Sequence, residues 1–162
     1  MALLEELKRA RSVRHLSEPH LNDLAGLASL RECPEGTVLF EEGQGSPFLY
    51  CVLKGEVSLQ VQEPFGEVVE VDTVGPGELL GWSPVFGRPA MTATARAATP
   101  CRLAALAVGQ LHTLMEADQR FESAFLRQIA VTVSDRLAET RLRLIRALGS
   151  RPLSAVNVEG SD

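Results

Sequence analysis

Cysteine and histidine are scarce in this chain, with three of each among 162 residues. Cys33, Cys51 and Cys101 are isolated and odd in number, which is neither a disulfide framework nor a zinc-ligand spacing. Reduced thiols behaving as small apolar residues are expected. His15, His20 and His112 are likewise scattered, without the His-x-His pair of a metal-binding barrel, so no resident metal is expected. The sequence also lacks a nucleophile elbow, a P-loop, an HExxH helix and any obvious acid–base pair, and nothing in it points to an enzyme. Positive charge is in deficit: 16 Lys and Arg face 21 Asp and Glu, a formal net charge of −5. That balance argues against nucleic-acid binding by bulk charge, and direct DNA binding is not expected. No apolar run approaches the roughly 20 residues of a membrane span. The amphipathic opening MALLEELKRARSVR lacks a signal-peptide core, which makes the cytoplasm the expected compartment.

What is present is an ordinary globular composition, 45% apolar and 23% charged, of one domain's length. Residues 2–12 read as a short amphipathic helix. Ser17, followed by Glu18 and Pro19, is a helix start. Leu21, Leu24, Leu27, Ala28 and Leu30 then continue at helical spacing. From Pro34 to about Leu106 short β-rich runs (TVLFEE, FLYCVLKG, EVSLQVQE, EVVEVDTV, TATARA, CRLAAL) alternate with Gly, Pro and Asp turns. Strands so spaced, without long helices between them, predict an antiparallel barrel or jelly roll.

Helical period returns near Val108, with one or two short helices and then a long one from about Arg120 to Leu148. Within it Ala130, Val133, Leu137, Thr140, Leu144 and Ala147 recur at three and four, an a/d seam flanked by Arg136, Glu139, Arg141, Arg143 and Arg146. Such a seam either packs on the chain's own barrel or pairs two copies across a dimer axis. The expected domain is therefore 1–148, with helices over 1–32, a jelly roll over 33–107 and helices over 108–148. A flexible tail over 149–162 completes the chain.

The order GTVLFEEG, YCVLKGEV, GPGELLG and TATARA, leading into a strand and the long helix, resembles the cyclic-nucleotide-binding domain of the catabolite-activator (Crp/Fnr) type. The likeness spans about residues 15–148. It implies a mainly-β jelly roll with N-terminal helices and a long C-terminal helix that dimerises and lids the pocket. The 14 residues after Leu148 are too few for the helix-turn-helix of the transcription-factor members, so a stand-alone sensor is expected.

In that family a phosphate-binding cassette presents backbone amides to the cyclic phosphate. A glutamate after its glycine holds the ribose, and an arginine before a small hydroxyl residue clamps the phosphate. Laid on GELLGWSPVFGRPAMTATARA, the glycine is Gly81, the glutamate's place is Trp82, the arginine's is Met91, and the hydroxyl residue is Thr92. Both charged anchors are missing. Ser83 and the amides around Gly81 and Trp82 keep a helix start able to receive an anion. Arg88 either curls inward as a substitute or points to solvent, and Arg96 either lines the pocket or sits at the barrel end. Trp82 either plugs the barrel or stacks on a ligand, and Thr140 and Arg141 match lid positions that touch the purine. The resemblance therefore implies a non-enzymatic homodimeric regulator, with Val133, Leu137, Thr140 and Leu144 in the dimer helix. Tight cAMP binding is not expected, and another small anionic or nucleotide-like ligand is. A ligand-free adaptor and a regulator acting through a separate DNA-binding protein stay open.

Overall fold

The structure, a computed structural model, describes residues 2–149. The expected tail, from Ser150 onward, lies outside the described residues. Helices α1 (Ala2–Arg9) and α2 (Glu18–Leu27) precede eight strands: β1 (Ala28–Cys33), β2 (Val38–Phe40), β3 (Phe48–Lys54), β4 (Val57–Gln62), β5 (Val68–Val74), β6 (Leu79–Leu80), β7 (Thr94–Ala97) and β8 (Cys101–Ala107). A 3-10 turn, Ser83–Phe86, lies between β6 and β7, and α3 (Val108–Ala117) and α4 (Gln119–Leu148) follow β8. The strands form two antiparallel four-stranded sheets, ordered β1-β8-β3-β6 and β2-β7-β4-β5. This is the expected jelly roll with flanking helices.

Two expectations need correction. The second helix stops at Leu27 rather than running through Leu30. Ala28 turns extended, and Ala28 to Cys33 pair in register with Leu106 to Cys101 of β8. ASLREC satisfies a helical apolar spacing, but the exposed edge of β8 offers it a full ladder of backbone hydrogen bonds, and that tertiary gain overrides the local preference. The first helix likewise ends at Arg9, where Ala10 N–H turns back to the Leu7 carbonyl. The two-residue β6 was too short to announce itself by periodicity.

Side chains alternate across a strand, so the sheet that contains β8 feeds two cores. On its outer face Leu49, Cys51, Leu79, Ala104 and Leu106 pack beneath the helices with Leu7, Leu24, Leu111, Phe121, Phe125 and Ile129. On its inner face Tyr50, Val52, Leu80, Leu103 and Ala105 meet Phe40, Val57 and Ala95 of the second sheet. In α4 the face buried in this domain is thus Phe121, Phe125 and Ile129, with Thr132 next, whereas Ala130 of the expected seam is exposed. The compact unit closes at Thr132, and α4 from Val133 belongs to a second unit.

Gly55, at the β3–β4 turn, has φ +91°, and a Cβ there would collide with the Pro100 carbonyl oxygen and lie 2.9 Å from the Cys101 sulfur. Only glycine fits this close approach. Arg102 of β8 fastens α1 to the sheet. Its Nη2 and Nε donate to Glu6 at 2.7 and 2.9 Å, and its Nη1 donates to Glu32 at 2.6 Å.

The hydrogen bonds from Arg102 hold the Glu6 carboxyl below its ordinary value of 4.5. A carboxylate depressed in the folded state stabilises above its unfolded pKa and loses that contribution as pH falls through the folded one. Arg102→Met is therefore expected to be less stable than the parent at pH 7. The gap should narrow as the pH drops below 4.5, read from urea unfolding midpoints across a pH series.

Candidate functional site

The cassette loop leaves β6 at Gly81 and returns in β7. Gly81 has φ +82°, and a Cβ there would stand 3.1 Å from the Phe40 ring and 3.4 Å from the Phe48 carbonyl oxygen. The glycine lets the chain pass over the aromatic mouth of the roll. At the far end, Met91 N–H donates to the Gln44 carbonyl at 2.8 Å and Gly43 N–H donates to the Met91 carbonyl at 2.7 Å. The loop is thus strapped to the β2–β3 connection on both sides of its arginine-equivalent position.

Between these anchors the expected helix start is a single turn. Val85 N–H returns to the Trp82 carbonyl, Gly87 N–H to Pro84, and Arg88 N–H to Ser83. Pro84 supplies a pre-set φ, and Gly87, at φ +74°, ends the turn. One turn of 3-10 helix carries little of the dipole that a longer helix offers an anion. From α3, His112 Nε2–H donates to the Val85 carbonyl at 3.0 Å, which pins the turn to the helical layer. Val85 itself is buried there.

Gly81, Trp82, Ser83, Arg88, Met91 and Thr92 all lie along this loop, in different surroundings. Trp82 is half-buried and packs against the helix-side core, so it does not plug the roll. The reason is the glycine before it: the reversal at Gly81 turns residue 82 away from the interior. Met91 is 5% exposed and shares the interior cluster with Phe40, Tyr50 and Leu80. Ser83 is half-buried, while Arg88 and Thr92 are exposed. Strand parity places Ala95 and Ala97 inside and Thr94 and Arg96 outside. Arg96 donates to the Gly36 carbonyl at 3.1 Å and borders an open outer groove of about 640 Å3 with Glu41, Glu42 and Gln60. Thr140 and Arg141 sit on exposed turns of α4 within the second unit, as do Val133, Leu137 and Leu144.

The residue missed by sequence reasoning is Arg31. Read as a helix or its end, residues 28–33 have no inner face. Paired as β1, they place Arg31 opposite Leu103, an interior residue, and so on the inner face of the sheet. Its guanidinium lies 4.2 Å from the Phe48 ring centroid and 5.9 Å from that of Tyr50. Tyr50 is in turn 6.4 Å from the ring of Phe40. Arg31 has no carboxylate partner among the described residues. Burial raises the Tyr50 phenol above its ordinary value, and the Arg31 charge works against that rise. The inner face therefore offers three aromatic rings and one half-buried cation.

The profile of the cyclic nucleotide-binding domain family matches residues 30–118. No curated protein matches the sequence significantly. Among solved structures, the chain is similar to the N-terminal domain of a transcriptional regulator from Streptomyces coelicolor. It is 30% identical to that domain, with a TM-score of 0.67, covering 86% of this chain and 94% of the other. A cyclic nucleotide-binding domain from Methylobacillus flagellatus superposes at a TM-score of 0.78 with 20% identity, over 90% and 82% of the two chains. The c-di-GMP responsive global regulator CLP of Xanthomonas campestris does so at 0.72 with 24% identity, over 83% of this chain and 66% of that one. The last two speak to the fold alone. No helix among the described residues is long and apolar enough to cross a membrane.

The His112 anchor has a measurable consequence. His112→Leu keeps a side chain of similar bulk but loses the donor to Val85, and should cost about 1 kcal/mol in urea unfolding. Trp82 is the single tryptophan, so freeing the turn should raise acrylamide quenching of its fluorescence relative to the parent.

Proposed function

We propose that this chain, which belongs to the cyclic nucleotide-binding domain family, is a non-enzymatic regulatory module with a rebuilt inner site. That site takes a small anionic, nucleotide-like ligand rather than cAMP or cGMP in the family's usual way. The observation that carries this reading is an exchange of charge. Where the family's cassette arginine would stand, Met91 is buried among apolar side chains, while a guanidinium from another strand, Arg31, lies on the inner face over Phe48 and Tyr50. A charge-assisted hydrogen bond to phosphate contributes about 1.5–3 kcal/mol, and a guanidinium fork can make two. Without the cassette arginine and the ribose-holding glutamate, cyclic nucleotide affinity should fall roughly a hundredfold or more. Arg31 with the rings of Phe48 and Tyr50 suits a ligand with an anionic group beside a flat ring system. That the Xanthomonas regulator of similar fold is c-di-GMP responsive makes cyclic dinucleotides a natural class to try.

The seam on α4 supports a dimer as the output element. Val133, Leu137 and Leu144 are 38%, 50% and 56% exposed, with Leu142 and Ile145 exposed beside them. An apolar stripe of this length on one helix is covered in a paired coiled coil. Occupancy of the roll would then bias how the dimer meets a DNA-binding module, and the likeness to a transcriptional regulator's N-terminal domain supports that output. The packed interior, with Phe40 against Gly81, favours a second reading: a ligand-free dimeric adaptor.

Calorimetric titration with cAMP, cGMP and cyclic dinucleotides discriminates these. Micromolar cAMP affinity would overturn the rebuilt site. A cyclic dinucleotide that binds the parent and not Arg31→Gln supports it, and silence from every ligand selects the adaptor. For the dimer, the double substitution Leu137→Glu and Leu144→Glu should give a monomer by analytical ultracentrifugation while far-ultraviolet circular dichroism keeps the β signal of the roll.

A further inference from the structure

Two of the three cysteines, far apart in sequence, are neighbours in the sheet. Cys33 is the last residue of β1 and Cys101 the first of β8, and they are direct cross-strand partners in the ladder. Directly opposed residues of an antiparallel pair have Cα atoms about 4.5–5.5 Å apart and side chains on the same face. A disulfide accepts Cα separations of about 4.4–6.8 Å, so this register meets its main geometric demand without moving the backbone. Both side chains join the inner core, where Cys101 is buried and Cys33 partly so.

A second observation concerns access. Cys33 and Cys101 both line an open groove of about 370 Å3, together with Lys54 and Arg102. β1 is the edge strand of its sheet, so Cys33 is approached from solvent without parting two strands. The Cys101 sulfur is held in place: it donates to the carbonyls of Glu56 and Thr99, both at 3.2 Å, over the space left by the absent Cβ of Gly55. Cys51 has the opposite environment. It lies on the other face of the sheet, in the helix-side core, where burial pushes its thiol up to about 12.

We infer that Cys33 and Cys101 form a reversible modification site, closed to a disulfide by a small hydroperoxide that enters this groove. The Cys33 thiolate attacks the peroxide oxygen, breaking the O–O bond; the departing oxide takes a proton and leaves as water or an alcohol. Cys33 is now a sulfenic acid. The Cys101 sulfur, after giving up its proton, attacks the Cys33 sulfur and expels hydroxide, which is protonated to water. Two thiols lose two electrons and two protons in all, and the peroxide is reduced. Burial keeps the Cys33 thiol above its ordinary value, with Cys101 and Glu32 adding to the rise and Arg31 opposing it. Few thiolates exist at neutral pH, so the closure is slow there and faster in mild alkali. The product ties the edge strand to β8 and shortens the unfolded chain's freedom.

The test uses the full chain, oxidised with hydrogen peroxide at mildly alkaline pH and digested without reduction for mass spectrometry. The expected result is one linked peptide pair joining Cys33 to Cys101, reversed by dithiothreitol, with Cys51 still a free thiol. The oxidised protein should also melt a few degrees higher than the reduced one. Cys51→Ser should behave like the parent in both respects. Cys101→Ser should leave a Cys33 sulfenic acid that dimedone traps; if that variant fails to fold, Cys33→Ser should show no intramolecular link and no rise in melting. Over-oxidation of Cys33 beside a free Cys101, or a link formed only between two chains, would overturn the assignment. None of these readouts depends on the ligand or the dimer, so they stand apart from the proposal above.

Discussion

The structure depends on β8 being buried on both faces. From Cys101 to Ala107 its residues alternate between the helix-side core and the interior of the roll, and β1 and β3 close its two edges. A strand in that position must be apolar on both sides, and CRLAALA is apolar at every position but one. The exception, Arg102, stands near the strand's end, where its charge reaches Glu6 and Glu32. Breaking that arrangement would expose two cores at once, because Leu103 serves one and Leu106 the other. The alanines at 104, 105 and 107 matter as much as the leucines, since a central strand between packed layers has room for few large side chains.

From that frame the cassette takes its constraints. β6 pairs with β3 for only two residues, and Gly81 then carries the chain over Phe40 in a conformation other residues avoid. The reversal sends Trp82 to the helices and the turn that follows to His112. Met91 drops back into the interior. The loop is thus held by backbone hydrogen bonds at its ends and by His112 at its turn. The packing of Phe40, Tyr50 and Leu80 around Met91 is favourable for an apolar side chain.

Much of this was legible beforehand. Six of the strands follow from period-two runs and turn glycines and the helices at both ends from helical spacing, signals that are local, while the family follows from the resemblance of the motifs from GTVLFEEG to TATARA. The long helix was legible too, although its buried face in the first unit is Phe121, Phe125 and Ile129 rather than the heptad seam. An amphipathic helix with apolar residues on two faces does not declare which one meets its own domain. The site was less legible. Which residues fall at the cassette's positions is implied by the resemblance, but the direction of each side chain is not. The sequence leaves Trp82 either a plug or a stacking surface for the interior, and it lies against the helices.

The sequence alone determined the kind of molecule: an acidic β roll between helices with the segment order of the cyclic nucleotide-binding domain family. These properties reside in residue type and short-range spacing, which the linear chain carries. Only the tertiary structure decided that residues 28–33 are a strand, and two consequences follow from that one assignment. Arg31 gains an inner face over Phe48, and Cys33 gains Cys101 as its opposite. The physical reason is that strand identity there comes from an edge offered by a segment some seventy positions away, a hydrogen-bonded partner that no local pattern in ASLREC can specify.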